Sequence, residues 1–180
     1  MYIVRERLNR QQIEQPTCAS IPLHMLLRPL DTDGPLVRFS AHDTEQIDRA
    51  LGGERFEIIV ETLGKWNEPP THAVYAEWRV EEEANEPKYI DSRRRLFELR
   101  KAVLPTFAYD WLLKSLDRSR VFMVLGLYGD RVGATELCRT HPQINAFIEA
   151  HPPAELGATD ITGLCCFSVL YHDVDLPFKG

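Results

Sequence analysis

Long hydrophobic runs are absent from this sequence of 180 residues. No stretch approaches the roughly 20 apolar residues that a helix needs to span a bilayer. The segment Met1–Arg7 carries charges where a secretory signal would be apolar. Excess basic charge is also absent, because the formal net charge is −6, whereas phosphate binding requires clustered lysine and arginine. We therefore expect a cytoplasmic protein that binds neither membranes nor nucleic acid.

Motifs for binding metals and nucleotides are missing as well. The four cysteines have no zinc-type spacing, and the histidines are scattered, with none at a helical i, i+4 spacing beside a carboxylate. The sequence contains no phosphate loop, no GxGxxG motif and no GxSxG nucleophile elbow. We therefore expect no metal and no cofactor, and kinases, dinucleotide-dependent enzymes and serine hydrolases are disfavoured.

Hydrophobic patterning predicts an α+β protein, because period-two alternation and helical spacing both occur along the chain. Strands are predicted at Tyr2–Leu8, Leu23–Leu30, Leu36–Ser40, Phe56–Leu63, His72–Val80, Phe107–Lys114, Val121–Tyr128 and Ile161–Tyr171. Helices are predicted from Asp43 or Thr44 to Leu51, from about Pro87 to Leu104, from Arg131 to Arg139 and from Pro142 onward.

Three local patterns give more specific expectations. The basic cluster Arg93-Arg94-Arg95 lies among acidic neighbours, which is typical of a solvated helix face. In the helix predicted at 131–139, Val132, Thr135 and Leu137 are the residues available to face a core. Cys165-Cys166 lies in a strand pattern, where consecutive side chains point to opposite faces, so free thiols are expected.

A linker is predicted at residues 67–71, because the paired prolines Pro69-Pro70 stiffen an extended connection and cannot join a central ladder. This linker divides the chain into a β-rich part, 1–66, and a second part, 72–176. The residues 177–180 form a tail.

An internal repeat relates the two parts. Leu26–Asp31 resembles Leu112–Asp117, and in the same register Leu36, Val37 and Phe39 match Phe122, Met123 and Leu125. The order of elements also agrees. The second part is predicted to be a complete ferredoxin-like βαββαβ unit with an antiparallel sheet, and the first part a degenerate copy that lacks the long first helix.

From His72 to His172 the chain resembles the antibiotic-biosynthesis-monooxygenase family. The segments that carry the resemblance are the opening strand Ala73–Val80, the long helix, the strand pair around Ser115-Leu116-Asp117, Val124–Asp130 and His141–Phe147. Family members commonly end the third strand with Trp, a variable residue and Ser, whereas this chain has Tyr128 and Asp130 there. The resemblance implies a dimeric α+β barrel.

Barrel formation also has a physical reason, because a four-stranded sheet with helices on one face must cover its other face. Two arrangements remain open from the sequence. The first part could cover the second within one chain, as a pseudo-dimer, or two chains could pair as a homodimer.

The resemblance implies a cofactor-independent monooxygenase that acts on an aromatic or quinone-like small molecule, with its pocket between the sheet and its helices. The residues expected to be catalytic are Tyr128, His141 and Asp110, and those expected to bind substrate are Trp78 and Trp111. Tyr128 would donate a hydrogen bond to a phenol or quinone oxygen, and His141 or a desolvated Asp110 would accept a proton.

Each of these residues also has a plainer interpretation. Trp78 and Tyr128 fit core positions, His141 fits a helix start, and Asp110 fits an exposed outer face. A second candidate function is therefore a non-catalytic module that binds a small ligand or serves assembly. Haem degradation is a disfavoured third, because Trp78 and Tyr128 stand where the haem-degrading members have Asn and Trp.

Overall fold

The computed structural model describes residues 2–8, 25–30, 34–42, 53–66 and 68–172. The strands are β1 Tyr2–Leu8, β2 Met25–Pro29, β3 Leu36–His42, β4 Glu54–Leu63, β5 His72–Val80, β6 Phe107–Ser115, β7 Val121–Tyr128, β8 Ala158–Asp160 and β9 Cys165–His172. The helices are α1 Glu86–Val103, α2 Cys138–Thr140 and α3 Pro142–Ala150. The helix predicted after His42 and the predicted tail lie outside the described residues.

Eight of these strands close an antiparallel barrel within one chain. In the first part the strand order is β4-β1-β3-β2, and in the second part it is β6-β7-β5-β9. The two sheets join at two seams, β4 with β6 and β2 with β9. The short strand β8 pairs with the end of β5 that β9 leaves free. Of the two arrangements left open by the sequence, the chain adopts the intramolecular one.

The two parts have the same strand order when the four strands of each are numbered from its own start. In both, the fourth strand lies beside the first, the first beside the third, and the third beside the second, as β4-β1-β3-β2 and β9-β5-β7-β6. The matched residues also share a face. Val37 and Phe39 of β3 lie in the same barrel core as Met123 and Leu125 of β7. These observations support the predicted duplication, which stays a prediction, as does the division at residues 67–71.

One face of each barrel strand fills the interior with apolar side chains. The buried interior core is formed by Ile3, Met25, Leu27, Val37, Phe39, Phe56, Ala73, Tyr75, Ala108, Tyr109, Trp111, Leu113, Met123, Leu125, Leu127 and Phe167. Within it Tyr75 and Phe167 stack at 5.0 Å. Because strand side chains alternate between faces, most of the residues between these ones point outward, and on the second sheet that outer face lies under the helices.

A ring of four charged side chains ties the two parts together inside the barrel. Arg5 of β1 contacts the carboxylates of Glu77 and Glu54. Arg118, in the turn between β6 and β7, contacts the same two carboxylates, at 2.7 Å from Glu77 and 3.0 Å from Glu54. The guanidinium of Arg5 also lies over the ring of Phe56. Each carboxylate therefore bridges two guanidinium groups, and each part of the chain supplies one carboxylate and one guanidinium group.

The long helix α1 covers the outer face of the second sheet. Pro87 lies in its first turn, where a missing N–H costs nothing, and Pro105 follows its end. Tyr89, Leu96 and Phe97 are buried against the sheet, as the predicted stripe requires. None of the helices in the described ranges is long and apolar enough to cross a membrane.

The segment after β7 differs from its prediction as a regular helix. Gly133–Leu137 forms a π-helical turn that leads into α2. Val132 is exposed, and the buried residues are Gly133, Ala134 and Cys138. The predicted inward face was therefore wrong for Val132, because the wider turn rotates the side chains around it. It was right for Leu137, which is partly buried and packs against the core under the helices.

Cys138, Cys165 and Cys166 form no disulfide bond, which agrees with the expectation for the adjacent pair. Cys165 packs against the barrel interior, and Cys166 packs against the core under the helices. The two neighbours therefore point to opposite faces of β9. Cys18 lies outside the described residues.

Candidate functional site

A cavity of about 230 Å³ lies between the outer face of the second sheet and the helices. The lining is mostly apolar and comprises Val74, Tyr75, Ala76, Trp78, Arg93, Leu96, Arg100, Val124, Arg139, Ile148, Pro153, Asp160 and Leu164. Strand β5 supplies one wall and helix α1 the opposite wall. This is the location that the resemblance implied for a pocket.

Trp78 lines this cavity from β5, where the sequence predicted a substrate-binding aromatic. Its side chain is half-buried, with Phe122 and Asp160 as its neighbours across the strands. A half-buried indole at a cavity wall can stack on a flat aromatic ligand. Trp78 is the predicted site residue that directly contacts the cavity.

Asp110 lies behind the cavity wall, and its predicted exposure was wrong. The side chain is fully buried, because α1 covers the outer face of β6. Arg100 of α1 lines the cavity and donates a hydrogen bond of 3.0 Å to Asp110, while its Nε donates to the carbonyl of Cys138. Burial raises the pKa of Asp110 above its ordinary value, although the charge and hydrogen bond of Arg100 oppose this shift. Asp110 thus fixes the position of a cation in the cavity.

Tyr128 is also fully buried, next to the same pair of charges. Its hydroxyl has no hydrogen-bond partner among the described residues, and the same is true of Oδ1 of Asp110. Burial raises the pKa of Tyr128 well above its ordinary range. A Cβ at Gly126, between the two, would lie 2.3 Å from Oδ1 of Asp110 and 3.1 Å from the hydroxyl of Tyr128. Because Gly126 has no side chain, Asp110 and Tyr128 can occupy the space beside it.

Two other predicted residues lie elsewhere. Trp111 is on the opposite face of β6 from Asp110, in the barrel interior, where its Nε1 donates a hydrogen bond of 2.9 Å to Glu61. His141 immediately precedes α3, at the N-cap position, and it does not line the cavity. Its Nδ1 is buried without a hydrogen-bond partner among the described residues. The structure thus places Asp110 and Tyr128 next to each other behind the cavity wall, and Trp78 on the wall itself, six residues along the β5–β7 ladder from Tyr128. It separates Trp111 from all three.

Arg93 is one of the lining residues that the sequence reasoning missed. It is 5% exposed, whereas Arg94 and Arg95 beside it are exposed. The prediction of a solvated face was therefore wrong for Arg93. The signal was its spacing, because Arg93 is four residues after Tyr89 and seven before Arg100, on the buried face of α1.

No group of three or more His, Cys, Asp or Glu side chains that could hold a metal ion occurs within the described ranges. The charged side chains that line the cavity are three arginines and Asp160. Asp160 accepts hydrogen bonds from the backbone N–H groups of Thr162 and Gly163. The electrostatic character of the cavity is therefore cationic.

No family model and no curated protein sequence matches the chain. Solved structures do match it over nearly its whole length. A haem-degrading enzyme from Listeria monocytogenes is 8% identical, with 93% of this chain and 99% of that chain covered and a TM-score of 0.61. A major regulator of staphylococcal pathogenesis is 12% identical, with coverage of 94% and 98% and a TM-score of 0.64.

An anthrone oxidase-like protein is 10% identical, with 94% of this chain and 91% of that chain covered and a TM-score of 0.61. Other similar structures are monooxygenase-like or related to antibiotic biosynthesis monooxygenases. The chain has the fold of these monooxygenase-like proteins. At such low identity the likeness establishes the fold, as the resemblance implied, and leaves the chemistry to be argued from this chain's own residues.

Within this monooxygenase-like barrel, we expect the Tyr128→Phe variant to unfold at the same or slightly higher free energy than the wild type. The change removes a buried hydroxyl that has no hydrogen-bond partner among the described residues. Burying an unpaired hydroxyl costs about 1 kcal/mol, so its removal should not lower the free energy of unfolding. The edge-on contact of the ring with Phe107, at 5.9 Å between centroids, is retained. Urea denaturation measures the difference. A loss above about 1 kcal/mol would mean that the hydroxyl is hydrogen-bonded in the folded state.

Proposed function

We propose that the chain is a cofactor-independent monooxygenase for a small aromatic or quinone-like molecule. The observation that carries the proposal is the apolar cavity between the sheet and α1, with Trp78 on one wall and guanidinium groups on the other. Its volume lies somewhat below the roughly 300–1,000 Å³ of typical ligand pockets. That size suits a few fused rings and disfavours haem.

The proposed reaction is the oxidation of an activated ring methylene, as in an anthrone. One O₂ is consumed, the CH₂ group becomes a carbonyl, and one water is released. The substrate supplies the electrons as its enolate or phenolate. Cationic groups in a cavity of low dielectric stabilise such an anion, so Arg100 would favour loss of the substrate's proton.

The predicted site residues take different parts in this proposal. Trp78 stacks on the substrate ring. Asp110 is a positioning residue that acts through Arg100. Tyr128 is the candidate hydrogen-bond donor behind the wall, and it reaches a ligand only if the ligand extends past Arg100. The role of His141 as a base stays a prediction, because it does not line the cavity.

A second candidate is a non-catalytic module that binds a similar ligand. It is favoured by the lining itself, which includes no histidine among the described residues, and its one carboxylate, Asp160, is already hydrogen-bonded to backbone. Without a base in the cavity, turnover depends on a substrate that is acidic enough to lose its proton to solvent.

We expect the purified protein to consume O₂ when it is given 1,8-dihydroxyanthrone, faster than the uncatalysed oxidation in buffer. Trp78→Ala should lower that rate by about 10-fold or more, because the stacking surface is lost. The matched control is Trp66→Phe, since Trp66 packs against Gly129 and does not line the cavity. An oxygen electrode and product absorbance measure the reaction.

Binding of the anthrone without O₂ uptake would favour the non-catalytic candidate. Neither binding nor turnover, in a protein with an ordinary thermal melt, would contradict both candidates. A Soret shift with haemin, followed by bleaching on addition of a reductant, would return haem degradation to consideration.

A further inference from the structure

Two arginines on α1 line the cavity two helical turns apart, and their surroundings differ. The positive charge of Arg100 is compensated by its ion pair with Asp110, and its guanidinium also donates a hydrogen bond to the carbonyl of Cys138. Arg93 has no carboxylate partner among the described residues. Its remaining contacts are a long hydrogen bond of 3.4 Å to Ser92 and the ring of Tyr89, 5.3 Å away.

Arg93 is therefore a buried cation that forms no ion pair with the described residues. The carboxylate in the same lining, Asp160, accepts hydrogen bonds from two backbone N–H groups instead. The Nε of Arg93 is buried without a hydrogen-bond partner among the described residues. Burial and the neighbouring charge of Arg100 both lower the pKa of Arg93. Tyr89 does not supply a negative charge, because burial raises the pKa of its hydroxyl and keeps it neutral. Such an arrangement is unfavourable in the free protein, and it becomes favourable once an anion enters the cavity.

We propose that Arg93 is the receptor for an ionised oxygen of the ligand, so that the cavity selects flat aromatic acids, carboxylates or phenolates, over neutral molecules of the same shape. This inference rests on the proposed use of the cavity and adds the charge of its ligand. A guanidinium suits this role, because its planar N–H groups donate two parallel hydrogen bonds to one carboxylate. The apolar wall and Trp78 would hold the rings, and Arg93 would fix their orientation.

The test compares 2-naphthoate with 2-naphthamide, which has the same shape without the charge, by isothermal titration calorimetry. We expect the wild type to prefer 2-naphthoate by about 10-fold or more, and Arg93→Met to lose that preference. The matched control is Arg94→Met, one residue along the helix, where the arginine is exposed and near Asp91. It should keep the preference. A second arm with 2-naphthol, below and above its own pKa, tests whether phenolates are accepted like carboxylates.

A second readout separates this role from a structural one. Without an ion pair to the described residues, Arg93 destabilises the free protein, so the melting temperature of Arg93→Met should equal or exceed that of the wild type. Arg93→Lys should retain part of the preference for 2-naphthoate. If the methionine variant fails to fold, the idea of an uncompensated cation is overturned.

Other results bear on the two proposals separately. Equal binding of the two naphthalenes by the wild type would overturn the role of Arg93 and leave the cavity intact as a ligand site. Binding of neither probe would overturn both the inference and the proposed function. Selective binding of 2-naphthoate without O₂ uptake from 1,8-dihydroxyanthrone would support the inference and contradict the proposed oxygenase.

Discussion

The Glu77→Gln variant should lose about 3–5 kcal/mol of unfolding free energy, because it removes the buried carboxylate that pairs with the buried guanidinium of Arg5. The side chain of Glu77 is 1% exposed and contacts both Arg5 and Arg118. A glutamine has nearly the same shape but places an N–H₂ group against one of the two guanidinium groups. It also leaves Arg5, which is equally buried, with one carboxylate partner in place of two.

Chemical denaturation at neutral pH measures this loss. The matched control is Glu82→Gln, just beyond the end of β5, where the side chain is exposed and a change within about 0.5 kcal/mol is expected. A loss for Glu77→Gln no larger than that of the control would show that the ring contributes nothing to the folded state.

The contribution of Glu77 also depends on pH. Burial would raise the pKa of Glu77, but the hydrogen bonds and charges of Arg118 and Arg5 outweigh burial and lower it. The folded state therefore binds the proton more weakly than the unfolded state does. This stabilisation is complete above the pKa of an ordinary glutamate and is lost as the pH falls through the lower value of the folded state. The difference between wild type and variant should accordingly shrink in acid.

Gly126→Ala should cost about 3 kcal/mol or more, a large effect for the addition of one methyl group. The new Cβ would lie 2.3 Å from Oδ1 of Asp110 and 3.1 Å from the ring and hydroxyl of Tyr128. Both side chains are fully buried, so neither can move outward. Asp110 would have to shift away from Arg100, which separates a buried ion pair.

A double-mutant cycle tests that explanation. Asp110→Ser removes the colliding oxygen, so adding Gly126→Ala to that variant should cost only about 1 kcal/mol. If the alanine costs the same in both backgrounds, the collision with Asp110 is not the reason for the loss. The cycle is measured by denaturation and does not depend on any ligand.

The sequence was most informative about the second sheet. The alternation in β5 and β6, the continuous apolar run of β7 and the stripe on α1 predicted these elements to within a few residues, because each pattern is visible locally. Cys165 and Cys166 on β9 likewise point to opposite faces of the sheet, as period-two alternation predicts. The choice between one chain and two was not visible, since an interior face looks alike whichever sheet covers it.

The candidate site was harder to predict because its polar residues are buried. Alternation placed Asp110 on the outer face of β6, but it did not reveal that α1 covers that face. Arg93 was assigned by its charged neighbours to the solvent, although its spacing from Tyr89 and Arg100 places it on the buried side. Partners such as Arg100 and Asp110 lie on different elements, and a single sequence does not show which residues pair.

Closure of the barrel within one chain has a consequence for biosynthesis. The first part, with the order β4-β1-β3-β2, leaves the ribosome before β6 and β9, the strands that pair with its two outer strands. The partner of β2 is β9, and Arg28 pairs with Ser168, 140 residues further along the chain, so that seam closes only after β9 has been made. Until then two unpaired strand edges and the apolar face of the sheet are exposed to other nascent chains. Chaperone binding to the first part during translation is the behaviour this topology leads us to expect.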